Sequence, residues 1–134
     1  MKKVLLLSLF AALIVTSVSA QKMGLITVNT SFKGIIEGYD HINKTQLYID
    51  GNLAGESAQG LESVPVSFSV KVPQGTHQVR VINLALYEGT WEEHTKDLSY
   101  SLDALYEGQI KLKKKLTIDL VFDIEKETTS ATVK

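Results

Sequence analysis

The chain has 134 residues, no cysteine, and 14 basic against 15 acidic residues, for a formal net charge of −1. This length suits one domain, the lack of cysteine excludes a disulfide framework, and the near-neutral balance argues against a nucleic-acid binder, which needs a basic face. A secreted domain of this kind depends on its hydrophobic core. We expect a bacterial envelope protein, since a eukaryotic secreted domain more often carries disulfides.

The first twenty residues have the organisation of a secretory signal peptide. Lys2 and Lys3 form a basic start, residues 4–15 are apolar, and small residues precede a cleavage site after Ala20. The apolar stretch is shorter than the roughly 20 residues that a membrane span needs. We predict a cleaved signal peptide over residues 1–20, a secreted or periplasmic protein, and no transmembrane segment after cleavage. An uncleaved N-terminal anchor is the alternative.

From residue 23 onward, short segments alternate apolar and polar residues, which is typical of β-strands. Strands are predicted over residues 23–28 and 45–50, with a weaker one over residues 34–40, where glycines interrupt the pattern. Asp50-Gly51 favours a tight hairpin, because both residues tolerate a positive φ. Residues 57–64 are predicted to form a polar loop.

The alternation is clearest on both sides of a Pro/Gly turn. Val66, Phe68, Val70 and Val72 alternate with polar residues, and the pattern resumes after Pro73-Gln74-Gly75-Thr76. It predicts a β-hairpin over residues 65–83 with one face buried.

The second half repeats the strand pattern less regularly. Residues 98–102, 109–113 and 117–124 alternate, whereas residues 125–134 are nearly free of apolar side chains and are predicted to be a flexible C-terminal tail. The fold class is therefore all-β: a single antiparallel, immunoglobulin-like β-sandwich of about seven to nine short strands over residues 21–124. A small closed barrel is the alternative.

The histidines and three acidic residues are the candidate metal ligands. The histidines are not spaced as ligand pairs and no cysteine completes a tetrahedral set, so we interpret them as turn or polar-face residues and predict no metal site. Three acidic residues on one face of the last strand have the oxygens that calcium prefers, although a solvated face is the favoured interpretation. The histidines are His41, His77 and His94; the acidic residues are Asp119, Asp123 and Glu125.

The sequence offers no set of residues suited to catalysis. It contains no Gly-x-Ser-x-Gly segment and no glycine-rich phosphate loop. The adjacent Glu92 and Glu93 point to opposite faces of a strand, so they do not converge on one substrate. We predict no catalytic residues and no cofactor. A small hydrolase or metal-dependent enzyme is retained only as an alternative.

The aromatic residues form the candidate ligand-binding set. Trp91, Tyr87 and Tyr106, with Tyr100 nearby in sequence, could form a platform for sugar rings on an exposed sheet face. The favoured interpretation places Trp91 in the core. A basic group is interpreted as an edge strand protected by lysine, with contact to anionic envelope polymers as the alternative. It comprises Lys111, Lys113, Lys114 and Lys115.

Two segments carry a family resemblance. Residues 48–55, YIDGNLAG, resemble the V-x-V-D-G-x-x-x-G segment of PEGA-type domains. Residues 72–81, VPQGTHQVRV, resemble the P-x-G-x-H-x-V-x-V segment of the same family. With the residues between them, the two segments cover about a third of the chain. Gln74 and Thr76 replace the Glu and Ala of that family's name motif. The turn signature is formed by Asp50, Gly51, Pro73, Gly75 and His77.

The resemblance implies a small β-sandwich of the bacterial or archaeal surface with an adhesion or scaffolding role and no catalytic residues. A transthyretin-like or carboxypeptidase-regulatory-like sandwich fits nearly as well. We therefore expect a secreted or periplasmic, non-catalytic binding or structural module of the bacterial cell envelope, with a protein or polysaccharide partner. The alternative is a carbohydrate-binding module that uses the platform around Trp91.

Overall fold

The computed structural model describes residues 21–134, so the predicted signal peptide lies outside the described residues. This part of the chain forms strands and one short 3-10 helix, Lys96–Leu98. No helix within residues 21–134 is long and apolar enough to cross a bilayer. The strands are β1 (Met23–Lys33), β2 (Ile42–Ile49), β3 (Asn52–Glu56), β4 (Gly60–Leu61), β5 (Val66–Pro73), β6 (Gly75–Tyr87), β7 (Thr90–Glu93), β8 (Leu105–Leu112), β9 (Lys115–Asp123) and β10 (Thr128–Val133).

The strands form two sheets, which confirms the all-β sandwich. Sheet A has the order β10-β9-β1-β5, and sheet B is built on β2 and β6. In sheet B, β2 pairs with β6 at the centre. On its other edge β2 pairs with β3 and β4, and on its other edge β6 pairs with β7 and β8. All pairings are antiparallel except that of β1 with β9, which is parallel. Sheet A is therefore mixed and not purely antiparallel as predicted.

The core lies between the sheets and follows from the period-two alternation of the strands. The central strands β1, β2 and β9 bury every second side chain, and their apolar side chains join those of the neighbouring strands in one hydrophobic cluster. Sheet A contributes Ile26, Val28, Val72, Ile118, Leu120 and Phe122, and sheet B contributes Leu47, Ile49, Val79, Val81, Ile110 and Leu112.

The predicted hairpin over residues 65–83 is wrong. β5 pairs with β1 in sheet A, whereas β6 pairs with β2, β7 and β8 in sheet B. The turn at Pro73–Gly75 therefore carries the chain from one sheet to the other. The hairpin at Asp50-Gly51 does form, with Ile49 opposite Asn52, and both turn residues have positive φ, as a type I′ turn requires.

Two further segments differ from the prediction. Residues 34–41 connect β1 to β2 as a loop, because the glycines there take positive φ and interrupt extended structure. Residues 128–133 of the predicted flexible tail form β10, which pairs with β9 through the backbone. The sandwich thus continues beyond Ile124, the predicted end of the domain.

The two ends of the sandwich differ in chemistry. At one end, which we call the turn end, β2 leads into β3 and β5 leads into β6 through the Asp50-Gly51 and Pro73–Gly75 turns. At the opposite end, the loop end, longer connections span residues 34–41, 57–65, which include the two-residue strand β4, and 94–104. The candidate site lies at the loop end.

The interior next to the loop end is polar. The Asn83 side-chain amide donates to Asn43 Oδ1 at 2.7 Å and to Thr45 Oγ1 at 3.3 Å, and all three residues are buried. Asn43 in turn donates to the carbonyl of Gly60 at 2.9 Å, two residues before Glu62. These bonds satisfy the side-chain nitrogens of Asn83 and Asn43 and join the loop that carries Glu62 to the sheet, whereas the buried Asn83 Oδ1 has no hydrogen-bond partner among the described residues.

Candidate functional site: a carboxylate-floored cavity at the loop end

A cavity of about 550 Å³ opens between the three connections of the loop end and the β6–β7 hairpin. Its rim is apolar and exposed, and its floor contains buried polar groups. Such a combination is typical of a ligand site. The rim side chains include Ile36, Tyr39, Tyr87 and Leu98, and the floor includes Glu62 and His94.

Glu62 is the unusual residue of the cavity. Its side chain is only 1% exposed, yet neither carboxylate oxygen accepts a hydrogen bond from any described residue. Two imidazoles lie near Oε1: His94 Nδ1 at 3.2 Å and His41 Nδ1 at 3.7 Å. The His94 contact is close enough for an ion pair, but it lacks the alignment of a hydrogen bond, and His94 Nδ1 is also without a hydrogen-bond partner.

Backbone contacts position the two groups. The Glu62 amide donates to the His41 carbonyl at 3.0 Å, and Asp40 accepts bonds from the Ser63 amide and hydroxyl, so the loop over residues 57–65 is tied to residues 40–41. His94 donates its amide to Asn83 of β6 at 2.9 Å. The backbone of Glu62 is therefore fixed by the neighbouring loop, and that of His94 is fixed by sheet B.

Aromatic rings enclose His94. Its imidazole centroid lies 4.3 Å from the Tyr100 ring and 5.3 Å from the Phe32 ring. The Tyr100 hydroxyl donates to Glu92 Oε2 at 3.1 Å. Burial, together with this bond to a carboxylate, raises the pKa of Tyr100 to about 12, so the phenol remains a neutral donor at physiological pH.

The turn signature forms a separate cluster at the turn end. His77 lies between Asp50 Oδ2, at 2.7 Å from Nδ1, and the Pro73 carbonyl, at 2.6 Å from Nε2. Asp50 also accepts the Gln78 amide at 2.9 Å. Both partners of the imidazole are acceptors, so the protonated ring satisfies both. The signature thus joins the two turns, with Gly51 and Gly75 at positive φ.

We expect this cluster to make stability depend on pH. The bond to Asp50 raises the pKa of His77 above its usual 6.5, and the bond from His77 lowers the pKa of Asp50 below its usual 3.8. The stabilisation from His77 is full below about pH 6.5 and is lost as pH rises through its raised pKa. That from Asp50 is present above about pH 3.8 and is lost as pH falls through its lowered pKa.

The difference in melting temperature between wild type and His77→Gln should therefore be largest between these two pH values and shrink on either side. Asp50→Asn is the reciprocal variant, because it removes the carboxylate partner of the same contact and keeps the shape. A wild-type minus His77→Gln difference that is constant from acidic to alkaline pH would contradict the assignment.

The three platform aromatics do not share one surface. Tyr87 lies on the rim of the cavity, and Tyr106 packs against the core. Trp91 lies opposite Leu86 on the face of sheet B that points away from sheet A. It is half-buried there, and the Lys44 ammonium lies 4.5 Å from the centroid of its ring. The expectation that Trp91 lies in the core is wrong, because its strand turns that face away from sheet A.

Two of the three acidic residues assigned to the last strand have local partners, and the third, Glu125, lies beyond the end of β9. Asp119 accepts a bond from Asn29 at 2.7 Å and lies 3.2 Å from Lys134 Nζ, and the Asn29 bond, more than the lysine, lowers its pKa. Asp123 accepts the Lys126 amide. Within residues 21–134, no group of three or more potential ligands is arranged to hold a metal ion.

The basic group does not lie on a single edge strand. Lys111 is exposed on β8, an edge strand of sheet B, as the interpretation requires. Lys113 and Lys114 lie in the turn to β9, and Lys115 begins β9, which is covered by neighbours on both sides.

Sequence reasoning did not identify the cavity. The sequence assigns His41 and His94 only to turns or polar strand faces, and Glu62 lies in a stretch predicted only as a polar loop. Glu92 and Glu93 do point to opposite faces: Glu92 lines the cavity and Glu93 pairs with Arg80 at 3.1 Å. No local signal marks Glu62, because its burial depends on three connections that are distant in sequence.

Comparisons with known proteins do not place the chain in a family. No family model matches it, and no curated protein matches it by sequence. Among solved structures it is similar to suilysin from Streptococcus suis, at 12% identity over 85% of this chain and 23% of that one, with a TM-score of 0.39. Listeriolysin O gives 11% identity over 85% and 22%, with a TM-score of 0.34.

A candidate cell adhesion protein from Bacteroides ovatus is also similar, at 9% identity over 84% of this chain and 44% of that one, with a TM-score of 0.41. The chain therefore spans less than a quarter of each toxin and less than half of the adhesion candidate. At these identities and TM-scores, the similarities establish neither a family nor a function.

Proposed function

We propose that the chain is a non-catalytic binding module of the bacterial cell envelope, secreted or periplasmic, and that the loop-end cavity is its ligand site. The signal-peptide pattern of residues 1–20 supports export. The main support for a ligand site is that the buried carboxylate of Glu62 has no hydrogen-bond donor among the described residues. A buried carboxylate without donors is costly, and a ligand that supplies donors offsets that cost.

The arrangement around His94 supports binding over catalysis. His94 Nδ1 faces a carboxylate, as in a hydrolase base that is oriented by an acid. Nucleophilic catalysis also needs a hydroxyl or thiol within hydrogen-bond reach of the imidazole. Ser99 and Ser101 line the cavity, but no hydrogen bond joins either to His94 among the described residues. The resemblance to PEGA-type domains also favours a binding or scaffolding module.

The three histidines provide the test. His41 and His94 lie at the cavity, and His77 lies at the opposite end as an internal control. We expect at least one of butylamine, acetate and glucose, at millimolar concentration, to shift the imidazole C–H resonances of His41 and His94 and to leave those of His77 unchanged. Fragments of this size bind weakly, so fast-exchange NMR is the suitable measurement. Absence of any such shift, or equal shifts at all three histidines, would contradict the proposal.

The carbohydrate-binding alternative has less support, because Lys44 covers the Trp91 ring and the other two aromatics lie elsewhere. Tryptophan fluorescence separates it from the proposal, since Trp91 is the single tryptophan. A soluble polysaccharide that shifts Trp91 emission would favour the alternative. The intact mass of the exported protein tests the signal peptide, and it should correspond to a chain that begins at Gln21.

A further inference from the structure

We infer that the cavity recognises a primary ammonium group on an aliphatic stem, as in an alkylamine or a lysine side chain. This inference rests on the proposed function and specifies the ligand class of the same site. It starts from the three buried atoms that lack hydrogen-bond partners at the cavity floor: Glu62 Oε1, Glu62 Oε2 and His94 Nδ1.

These three atoms match the donors of an ammonium group. Both carboxylate oxygens only accept hydrogen bonds, and Nδ1 of a neutral imidazole protonated on Nε2 also accepts. An ammonium group has three donors and no acceptor, so one such group can satisfy all three atoms. Without ligand, the His94 imidazole is the nearest polar side chain to Glu62, at 3.2 Å from Oε1, and it makes no hydrogen bond to the carboxylate.

The charge of the lining also selects a cation. Two carboxylates, Glu62 and Glu92, face the cavity. Among the described residues, no lysine or arginine lines it. Glu92 accepts a hydrogen bond from the Tyr100 hydroxyl. The raised pKa of Tyr100 keeps the phenol neutral, so it adds no further negative charge to the cavity. An anionic ligand would meet uncompensated carboxylates, and a neutral ligand would leave their charge buried.

The rim fits an apolar stem. Ile36 and Leu98 are exposed aliphatic side chains at the mouth, and Tyr39 and Tyr87 are exposed aromatic ones. Aromatic faces attract ammonium groups, and apolar rims bury the methylene groups that precede them. A ligand with an aliphatic stem and a charged tip therefore fits the cavity, with the tip at the polar floor and the stem against the apolar rim.

The test compares pairs of probes that differ only in charge. Butylamine is compared with butan-1-ol, and Nα-acetyl-lysine amide is compared with its Nε-acetylated form. We expect the charged member of each pair to shift the His41 and His94 resonances, with His77 as the internal control, and the neutral member to leave them unchanged. Binding of butylamine but not of the lysine amide would identify a free amine as the source, whereas binding of both includes a partner's lysine.

Glu62→Gln should weaken butylamine binding by about tenfold or more, because it removes the charge from an ionic hydrogen bond and keeps the shape. Glu93→Gln is the matched control: it removes a neighbouring carboxylate that faces the other side of β7 and pairs with Arg80, and it should change the affinity little. Should Glu62→Gln not fold, Glu92→Gln serves instead, and we expect a weaker loss of affinity.

The outcomes separate the two proposals. Shifts at His41 and His94 with glucose, acetate or the neutral probes, but none with butylamine or the lysine amide, overturn the ammonium assignment and leave the cavity as a binding site. Equal affinities of wild type and Glu62→Gln for butylamine also overturn the assignment. Absence of a cavity shift with every probe overturns both proposals.

Discussion

Replacing Phe122 with alanine should destabilise the protein by about 3–5 kcal/mol, the range found when a buried phenylalanine is removed from a core. Phe122 is fully buried and is the largest such side chain among the described residues. Its ring lies 5.0 Å from that of Phe32, and its strand β9 is paired on both sides. Neighbouring strands therefore restrict the collapse that would otherwise fill the space.

Denaturant unfolding at constant pH measures this loss as a lower midpoint with an unchanged slope. Val121→Ala is the control, since Val121 is on the same strand but points away from the core and is half-buried. We expect the control to lose a small fraction of the Phe122→Ala effect. Similar losses for the two variants would show that Phe122 does not occupy the centre of the core.

Replacing His94 with alanine should destabilise the unliganded protein by about 2–5 kcal/mol, because it removes a buried ring that packs between Phe32 and Tyr100 and leaves a cavity beside the Glu62 carboxylate. His94 is 3% exposed and lies 3.2 Å from Glu62 Oε1. His41→Ala is the control: its ring is 3.7 Å from the same oxygen and more exposed, so its removal should cost less.

A double-mutant cycle separates the pair from the loss of packing. The variant that carries Glu62→Leu and His94→Leu removes both buried polar groups and keeps apolar volume, so it should be more stable than the sum of the two single changes predicts. Equilibrium unfolding of the four proteins gives the coupling energy. A coupling energy near zero would mean that the two groups do not compensate each other in the fold.

The elements predicted from sequence are those whose pattern is local. Alternation alone identifies most of β9, and Asp50-Gly51 identifies its hairpin, because type I′ geometry is encoded in the two turn residues. The Pro73–Gly75 turn does not indicate whether the next strand pairs with the previous one or crosses to the other sheet. β10 was missed because an edge strand is held by backbone bonds and needs few apolar side chains.

The site was less predictable than the fold for a related reason. Period two assigns Trp91 to one face of β7, but which face is inward depends on the position of sheet A. The cavity depends on Glu62, His41 and His94, which are brought together by three separate connections. The turn signature was recognisable because His77 lies four residues from Pro73, within the reach of one turn.

The parallel pairing of β1 with β9 has a consequence for how the chain acquires its structure. Asn29 of β1 and Asp119 of β9 are paired although they lie 90 positions apart in the sequence. β1 must wait for β9 before one of its two edges is covered, and such long-range pairing slows folding. Until then that exposed edge is open to pairing with other chains, so aggregation is most expected while the chain is still folding.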